Sequence, residues 1–298
     1  MALARRPSPG FLGLLLAAGL AATGATCSGK GAEGPAEGRQ APPAAGAETP
    51  GPEPSRPAGG PERLTARVMA EYPHDPEAFT QGLLVHDGLL YESTGRYGRS
   101  ELRRVDPRTG EVLLRRELPG HLFGEGLTLV PGGPGGTGDR LVQLTWQEGV
   151  ALVWDRESLR AEGELRYQGE GWGLAWDGER LVMSDGSAWL SFREPHGFSE
   201  LARVEVTLEG RPLPRINELE WVDDALWANV LGSDSVVRID PATGEVTAVA
   251  DLAGIEARLP RGEAGGIDVL NGIAWWPERG SFLVTGKLWP RLFEVVFE

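Results

Sequence analysis

One pattern recurs five times after residue 80, and this repetition constrains the fold more than any other feature of the chain. A polar residue opens an apolar strand, a short turn leads into a second apolar strand, and a third strand, often with an Asp-led turn, follows. The copies begin QGLLVHDGLLYES at Gln81, EGLTLV at Glu125, WGLAWDGERLVMSDGS at Trp172, NELEWVDDALWANV at Asn217 and NGIAWWPERGSFLVTGK at Asn271. In the first copy two β-forming runs, Leu83 to Val85 and Leu89 to Tyr91, flank the hairpin turn His86-Asp87-Gly88. The stretches Asp106-Pro107-Arg108-Thr109-Gly110 and Asp240-Pro241-Ala242-Thr243-Gly244 read as turns between antiparallel strands. Pro sets φ, Asp bonds back to the chain, and Gly takes the left-handed position.

The copies are spaced at the length of about four short strands with their turns, the size of a propeller blade. The fifth copy has three strands, and Leu64 to Glu71 stands ahead of the first copy as a spare strand. The expected fold is therefore all-β: a five-bladed β-propeller over residues 64–298 with almost no helix, its ring closed by the N-terminal strand joining the last blade. The Gly/Pro insertion Pro131 to Gly138 is expected to be a surface loop; it leads into a strand, unlike a phosphate-cradling loop at a helix start.

In such a ring the first strand of each blade lines the channel, so Gln81, Glu125, Trp172, Asn217 and Asn271 are expected to meet at one mouth. None is aliphatic. The ends of the second strands add Glu92, Trp146, Asp185, Asn229 and Lys287 one shell further out. Any one of these polar groups is accounted for by strand-end backbone bonding. Acid, base, amides and aromatics at matching positions are what a small-ligand pocket needs.

Other chemistries find less support. There is no HExxH or CxxC, and the one cysteine, Cys27, precedes the repeats. His74, His86, His121 and His196 are scattered and expected to be solvated loop residues. Ser93 and Ser184 lack the GxSxG setting of a nucleophile. Calcium stays open as a channel ion, because Glu125, Asn217 and Asn271 offer hard oxygen ligands.

The amino-terminal part has a different character. Arg5 and Arg6 precede the apolar run Phe11 to Leu20 and then small residues up to Cys27, the layout of a secretory signal peptide over residues 1–27. Cys27 lies where a lipoprotein signal places its acylated cysteine, although Gly24-Ala25-Thr26 matches such a motif poorly. Residues 28–63 are rich in Gly, Pro, Ala and Glu with little to bury, which reads as a disordered tether. The expected location is outside the cytoplasm, periplasmic or lipid-anchored to a bacterial envelope, with membrane contact only through Cys27. Forty-one per cent hydrophobic residues in a 298-residue chain suffice for a large core without disulfides. A net charge of −14 argues against nucleic acid as a partner.

From Tyr72 to Glu298 the sequence resembles the plant- and bacterial-type glutaminyl-peptide cyclotransferases. The motifs are FTQGL, STGRYGRS, FGEGLT, LTWQEG, EGWGL, SDGS, NELEWV, LNGIAW and TGKLWP. The resemblance implies a five-bladed propeller that converts amino-terminal glutamine of peptides or proteins to pyroglutamate, with no metal cofactor. It implies that Glu125 is the acid/base and that Gln81, Asn217 and Lys287 bind and polarise the side-chain amide. Phe79, Trp146 and Trp172 would wall the pocket, with Asn229 and Asn271 beside them as substrate-binding groups. Two positions depart from the family pattern: Leu231 stands where a Trp is usual, thinning one wall, and Gln147 replaces a common Lys at the expected surface.

These roles are chemically coherent. A free α-amine has pKa about 7.7–8, so a base needs to give it only modest help. Nucleophile and carbonyl belong to one substrate molecule, and a folded pose supplies much of the acceleration. The leaving nitrogen needs a positioned acid, and the growing oxyanion needs a donor such as Lys287 or Asn217. Two alternatives stand beside cyclisation: a calcium-dependent propeller lactonase or esterase using Glu125, Asn217 and Asn271, and a non-catalytic envelope propeller that binds a partner. A monomer is expected in each case.

Overall fold

The computed structural model describes residues 59–132, 138–259 and 266–298. The signal segment 1–27 with Cys27, the tether as far as residue 58, and residues 133–137 of the insertion lie outside the described residues. The rest is all-β, with one short helix.

The chain opens with β1 (Glu62–Pro73), which takes in the last two residues assigned to the tether. A four-stranded antiparallel meander follows: β2 (Thr80–His86), β3 (Leu89–Thr94), β4 (Glu101–Val105) and β5 (Val112–Glu117). The next is β6 (Gly124–Val130), β7 (Arg140–Thr145), β8 (Val150–Asp155) and β9 (Ala161–Arg166). The third is β10 (Leu174–Trp176), β11 (Leu181–Ser184), β12 (Trp189–Arg193) and β13 (Glu200–Glu205), trailed by the small hairpin β14 (Thr207–Leu208) and β15 (Arg211–Pro212). The fourth is β16 (Ile216–Val222), β17 (Ala225–Val230), β18 (Ser235–Ile239) and β19 (Val246–Asp251). Helix α1 (Ala253–Glu256) leads to the last three strands, β20 (Leu270–Trp276), β21 (Ser281–Gly286) and β22 (Arg291–Phe297). β1 supplies the fourth strand here, running antiparallel to β22 with Ala66 opposite Phe297 and Pro73 opposite Arg291. Its first residues also pair parallel with β19, so the last two units share one eight-stranded sheet.

Turn chemistry fixes the register. Asp87 and Gly88, at φ 51° and 70°, form the two-residue link between paired His86 and Leu89, the backbone that right-twisted hairpins favour. The turn from third to fourth strand is one device used four times. Asp106 Oδ1 accepts from Arg108 N at 2.8 Å and Gly110 N donates to Asp106 O at 2.9 Å; Asp240 and Gly244 repeat this, with Ala242 N at 2.8 Å. In the second and third units the left-handed residue is Leu159 (φ 51°) or Phe198 (φ 61°), each bonding back to Asp155 O or Glu194 O at 2.9 Å. A left-handed L-residue costs about 1–2 kcal/mol. Both side chains are almost wholly buried, and that burial, worth about 1.5–3 kcal/mol, offsets the strain.

The apolar residues lie between sheets. Tyr91 and Leu102 of the first unit pack with Leu127, Leu141 and Leu152 of the second, and Val142 and Leu144 pack with Leu174 and Leu181 of the third. Val182 and Leu190 meet Leu219 and Val237, and Val236 and Trp227 meet Ile273 and Phe282. Leu83 and Leu90 of the first unit meet Ala274, Trp276 and Leu283 of the last. Among first strands, β2 lies against β6 and β20, β6 against β10, β10 against β16, and β16 against β20.

Candidate active site

The site grows out of an irregularity repeated at the start of the first strands. Pairing registers shift between Thr80 and Gly82, Gly124 and Leu127, Ile216 and Leu219, and Leu270 and Ile273. Gln81, Glu125, Asn217 and Asn271 fall inside these shifts. A bulge takes a residue out of the ladder and re-aims its side chain. The glycine beside the site residue then lets the next strand approach: a Cβ on Gly82 would lie 2.6 Å from Leu127 N, and one on Gly126 2.5 Å from Trp172 O. In the fourth unit Glu218 occupies this place, and its buried carboxylate accepts Leu83 N at 3.2 Å and Ile273 N at 2.8 Å.

Glu125 is 4% exposed. Its Oε1 accepts Gln81 Nε2 at 2.7 Å, and Asn271 Nδ2 reaches Gln81 Oε1 at 3.3 Å and Thr80 O at 3.1 Å. Burial holds the Glu125 carboxyl well above the usual carboxylate range; the charge of Lys287 opposes this, and Glu170 and Glu148 reinforce it. Lys287, 7% exposed, has its pKa lowered by burial against the pull of Glu125 and Asp268. Its Nζ stands 4.9 Å from the centroid of the Phe79 ring, and no carboxylate among the described residues lies within ion-pair distance. Acid and base are thus each shifted towards neutrality. Asn217 Oδ1, Asn271 Oδ1 and Asn229 Nδ2 are buried and have no hydrogen-bond partner among the described residues, whereas Asn229 Oδ1 accepts Gly272 N at 3.0 Å.

Beside Lys287 lies an aromatic cluster, half-buried at Phe79, Phe123 and Trp146 and exposed at Tyr97. Phe123 meets Phe79 edge-on at 6.2 Å, Tyr97 at 5.3 Å and Trp146 at 5.6 Å. Arg96 lies 4.7 Å from the Phe79 centroid. Trp172 packs on Gly186, whose φ of 78° and lack of a side chain leave room for the indole. Both indoles are tied to Glu170: Trp146 Nε1 and Trp172 Nε1 donate to Oε2 at 2.8 and 2.9 Å.

A family model described as glutamine cyclotransferase matches residues 44–297. The chain belongs to the glutamine cyclotransferase family. The glutaminyl-peptide cyclotransferase of Arabidopsis thaliana is 40% identical over 230 residues, which cover 76% of this chain and 70% of that relative. A crystal structure of Myxococcus xanthus glutaminyl cyclase superposes with a TM-score of 0.73 at 41% identity, covering 80% of this chain and 98% of the other.

Several residues of this family member lie where sequence alone did not put them. His74 is buried, not a solvated loop histidine. Its Nδ1 faces Trp289 O at 2.6 Å and its Nε2 faces Glu92 Oε1 at 3.0 Å, and two acceptors require a doubly protonated ring. Burial works against the charge on His74, but the charge and hydrogen bond of Glu92 outweigh it, so its pKa is raised. Glu92 also accepts Thr80 Oγ1 at 2.8 Å and lies 3.7 Å from Arg103, which reaches Glu101 at 2.7 Å and Asp75 at 2.8 Å. This charged cluster backs the segments carrying Gln81 and Lys287. Asp185 accepts Ser187 N at 3.0 Å in an exposed turn. Ser184 is a tie between strands, donating to Asn217 O and accepting Gly173 N, both at 2.7 Å. Gln147 is exposed as expected, yet its Nε2 donates to Glu170 Oε1 at 2.9 Å. Leu231 is half-buried, its N–H held by Arg215 O at 2.9 Å. Glu170, Glu148, Phe123 and Tyr97 were not foreseen; Glu170 was in view within EGWGL, but it lies outside the strand-end positions that the repeat aligns.

Proposed function

We propose that this chain is a glutaminyl-peptide cyclotransferase that turns amino-terminal glutamine into pyroglutamate and releases ammonia. The observation that carries the reading is a buried carboxyl, Glu125, bonded to Gln81, together with the buried ammonium of Lys287, which has no ion-pair partner among the described residues and lies over the Phe79 ring. Membership of the family supports it independently.

Glu125 takes a proton from the substrate's α-amine as that nitrogen attacks the side-chain amide carbon. The new N–C bond makes a five-membered ring and leaves an oxyanion, which the Lys287 ammonium stabilises. Glu125 then returns the proton to the amide nitrogen, the C–N bond breaks, and ammonia leaves. Asn217 Oδ1 and Asn271 Oδ1 accept N–H bonds from the substrate, their carbonyls having none among the described residues. Phe79, Trp146 and Trp172 exclude water, which suppresses hydrolysis to glutamate.

The finer architecture belongs to the same proposal: five blades around a channel, the last completed by β1. Two features support it, the apolar cluster between first and last units and the mutual contacts of β2, β6, β10, β16 and β20. The enzyme works as a metal-free monomer, and export with acylation of Cys27 rests on the sequence of residues 1–27. The test is ammonia release from a Gln-initiated peptide in the presence of a chelator. Chelator-sensitive hydrolysis of a lactone or ester without ammonia release would favour the calcium reading, and peptide binding without ammonia would favour a binding module.

A further inference from the structure

We propose that Glu170 is a positioning residue for cyclisation, a single carboxylate that locks the indoles of Trp146 and Trp172 into a preset wall beside Glu125. The proposal rests on the cyclase reading for its kinetic part and on geometry alone for its structural part. Glu170 stands in the connection between β9 and β10, two residues before Trp172. Oε2 takes both indole N–H groups, at 2.8 and 2.9 Å, and Oε1 takes Gln147 Nε2 at 2.9 Å.

A half-buried indole needs an acceptor for its N–H, and a charged acceptor makes the stronger bond. Here one oxygen serves two rings, so neither can rotate without breaking a charge-assisted bond. The neighbours complete the restraint. Phe123 fixes one edge of Trp146, Gly186 underlies Trp172, and Gly171 N donates to Trp146 O at 2.8 Å. Ordering a free side chain at the moment of binding lowers affinity about two- to tenfold. Releasing both rings therefore raises KM by roughly five- to a hundredfold while leaving the chemical step in place.

The same carboxylate has an electrostatic consequence. The groups that act on Glu125 are Gln81, which bonds it, Lys287, which favours its charge, and Glu170 and Glu148, which disfavour it. Glu148 accepts Tyr97 OH at 2.8 Å and stays with that partner. Burial raises the Glu170 pKa, but the bonds from Trp172, Gln147 and Trp146 outweigh it, so Glu170 is anionic across the working range. Neutralising it moves the acid limb of kcat/KM to lower pH.

Two substitutions separate these effects. Glu170→Ala removes the clamp: KM for a Gln-peptide is expected to rise roughly five- to a hundredfold with kcat changed less than about threefold, and acrylamide quenching of tryptophan emission should increase. Glu170→Gln keeps an oxygen for the indoles, so KM should stay within about threefold while the acid limb shifts down. Trp146→Phe and Trp172→Phe, which keep an aromatic ring but delete the N–H group and part of the ring area, should raise KM in the wild type and raise it by a smaller factor in Glu170→Ala. Unchanged KM and quenching in Glu170→Ala, or an unmoved acid limb in Glu170→Gln, would overturn the proposal. If Glu170→Ala does not fold, the Gln variant and the Trp-to-Phe pair in the wild-type background decide. Wild-type protein that releases no ammonia would sink the cyclase reading alone, and the quenching comparison would still judge the clamp.

Discussion

Replacing Glu125 by Gln should separate stability from activity. The Glu125→Gln change keeps the shape of the side chain, and the new amide's carbonyl oxygen can still accept Gln81 Nε2, now 2.7 Å from the carboxylate Oε1. What the variant loses is the proton shuttle. Positioned acid–base groups contribute about 10²–10⁴ in rate, about 3–5 kcal/mol of barrier at 1.36 kcal/mol per tenfold. Turnover should fall within that range, read as ammonia release from a Gln-peptide at saturation. Stability should move the other way. The folded pKa of Glu125 is raised, so ionising it costs stability once pH exceeds the unfolded value of about 4.3, and the penalty grows until pH passes the folded pKa. The Gln variant escapes the penalty, and its Tm near pH 7 should equal or exceed that of the wild type. It also removes the charge that supports protonated Lys287, so the alkaline limb of the residual activity should move lower. Turnover within tenfold of wild type would refute the acid–base role, and a clear fall in Tm would refute the view that burial destabilises the carboxylate.

Other outcomes follow from the same geometry. Lys287→Met should lower kcat about 10²–10³-fold with a smaller effect on KM, since oxyanion stabilisation acts in the transition state, and steady-state kinetics with a Gln-peptide separates the two. The wild-type pH profile of kcat/KM should be a bell whose acid limb lies above ordinary carboxylates and whose alkaline limb lies below ordinary lysines. His74→Ala removes one partner of the buried Glu92 carboxylate, which keeps Thr80 and Arg103, and should cost about 1–3 kcal/mol in urea unfolding. That contribution has a pH window. The Glu92 part fades as pH falls through its lowered pKa, and the His74 part is complete below about 6.5 and fades as pH rises through its raised one. Gly126→Ala drives a methyl to 2.5 Å from Trp172 O and should cost about 1–3 kcal/mol or more, seen as a lower denaturation midpoint.

The parts of the molecule that repeat could be read from its sequence, because apolar runs and Asp-led turns recur with the strands they make. Leu64 to Glu71 was identifiable as a partner for the last strands because the fifth copy came up one strand short. The same turn in the second and third units escaped notice, since Leu159 and Phe198 fill a position where glycine is the signal, and only burial explains them. The bulges at Gln81, Glu125, Asn217 and Asn271 leave no mark in composition; they emerge from pairing registers. His74 looked like a loop residue because its partners, Glu92 and Trp289, are distant in sequence and nothing local announces them. Glu170 lies within the EGWGL motif, but its two indole bonds depend on how the β9–β10 connection places it against Trp146 and Trp172.

The pairing of β1 with both β19 and β22 has a consequence for how the chain is assembled. Thr65 and Glu298 bond to each other across a sequence separation of 233 residues, so β1 waits for β22. Until then Ala66 to Pro73 of β1 lack their β22 partner on a molecule otherwise able to pair locally, the condition under which strands seek partners on other chains. Contacts this distant slow folding. Refolding yield should therefore fall as protein concentration rises, and a chain cut before Arg291 should collect as aggregates even though every site residue is present.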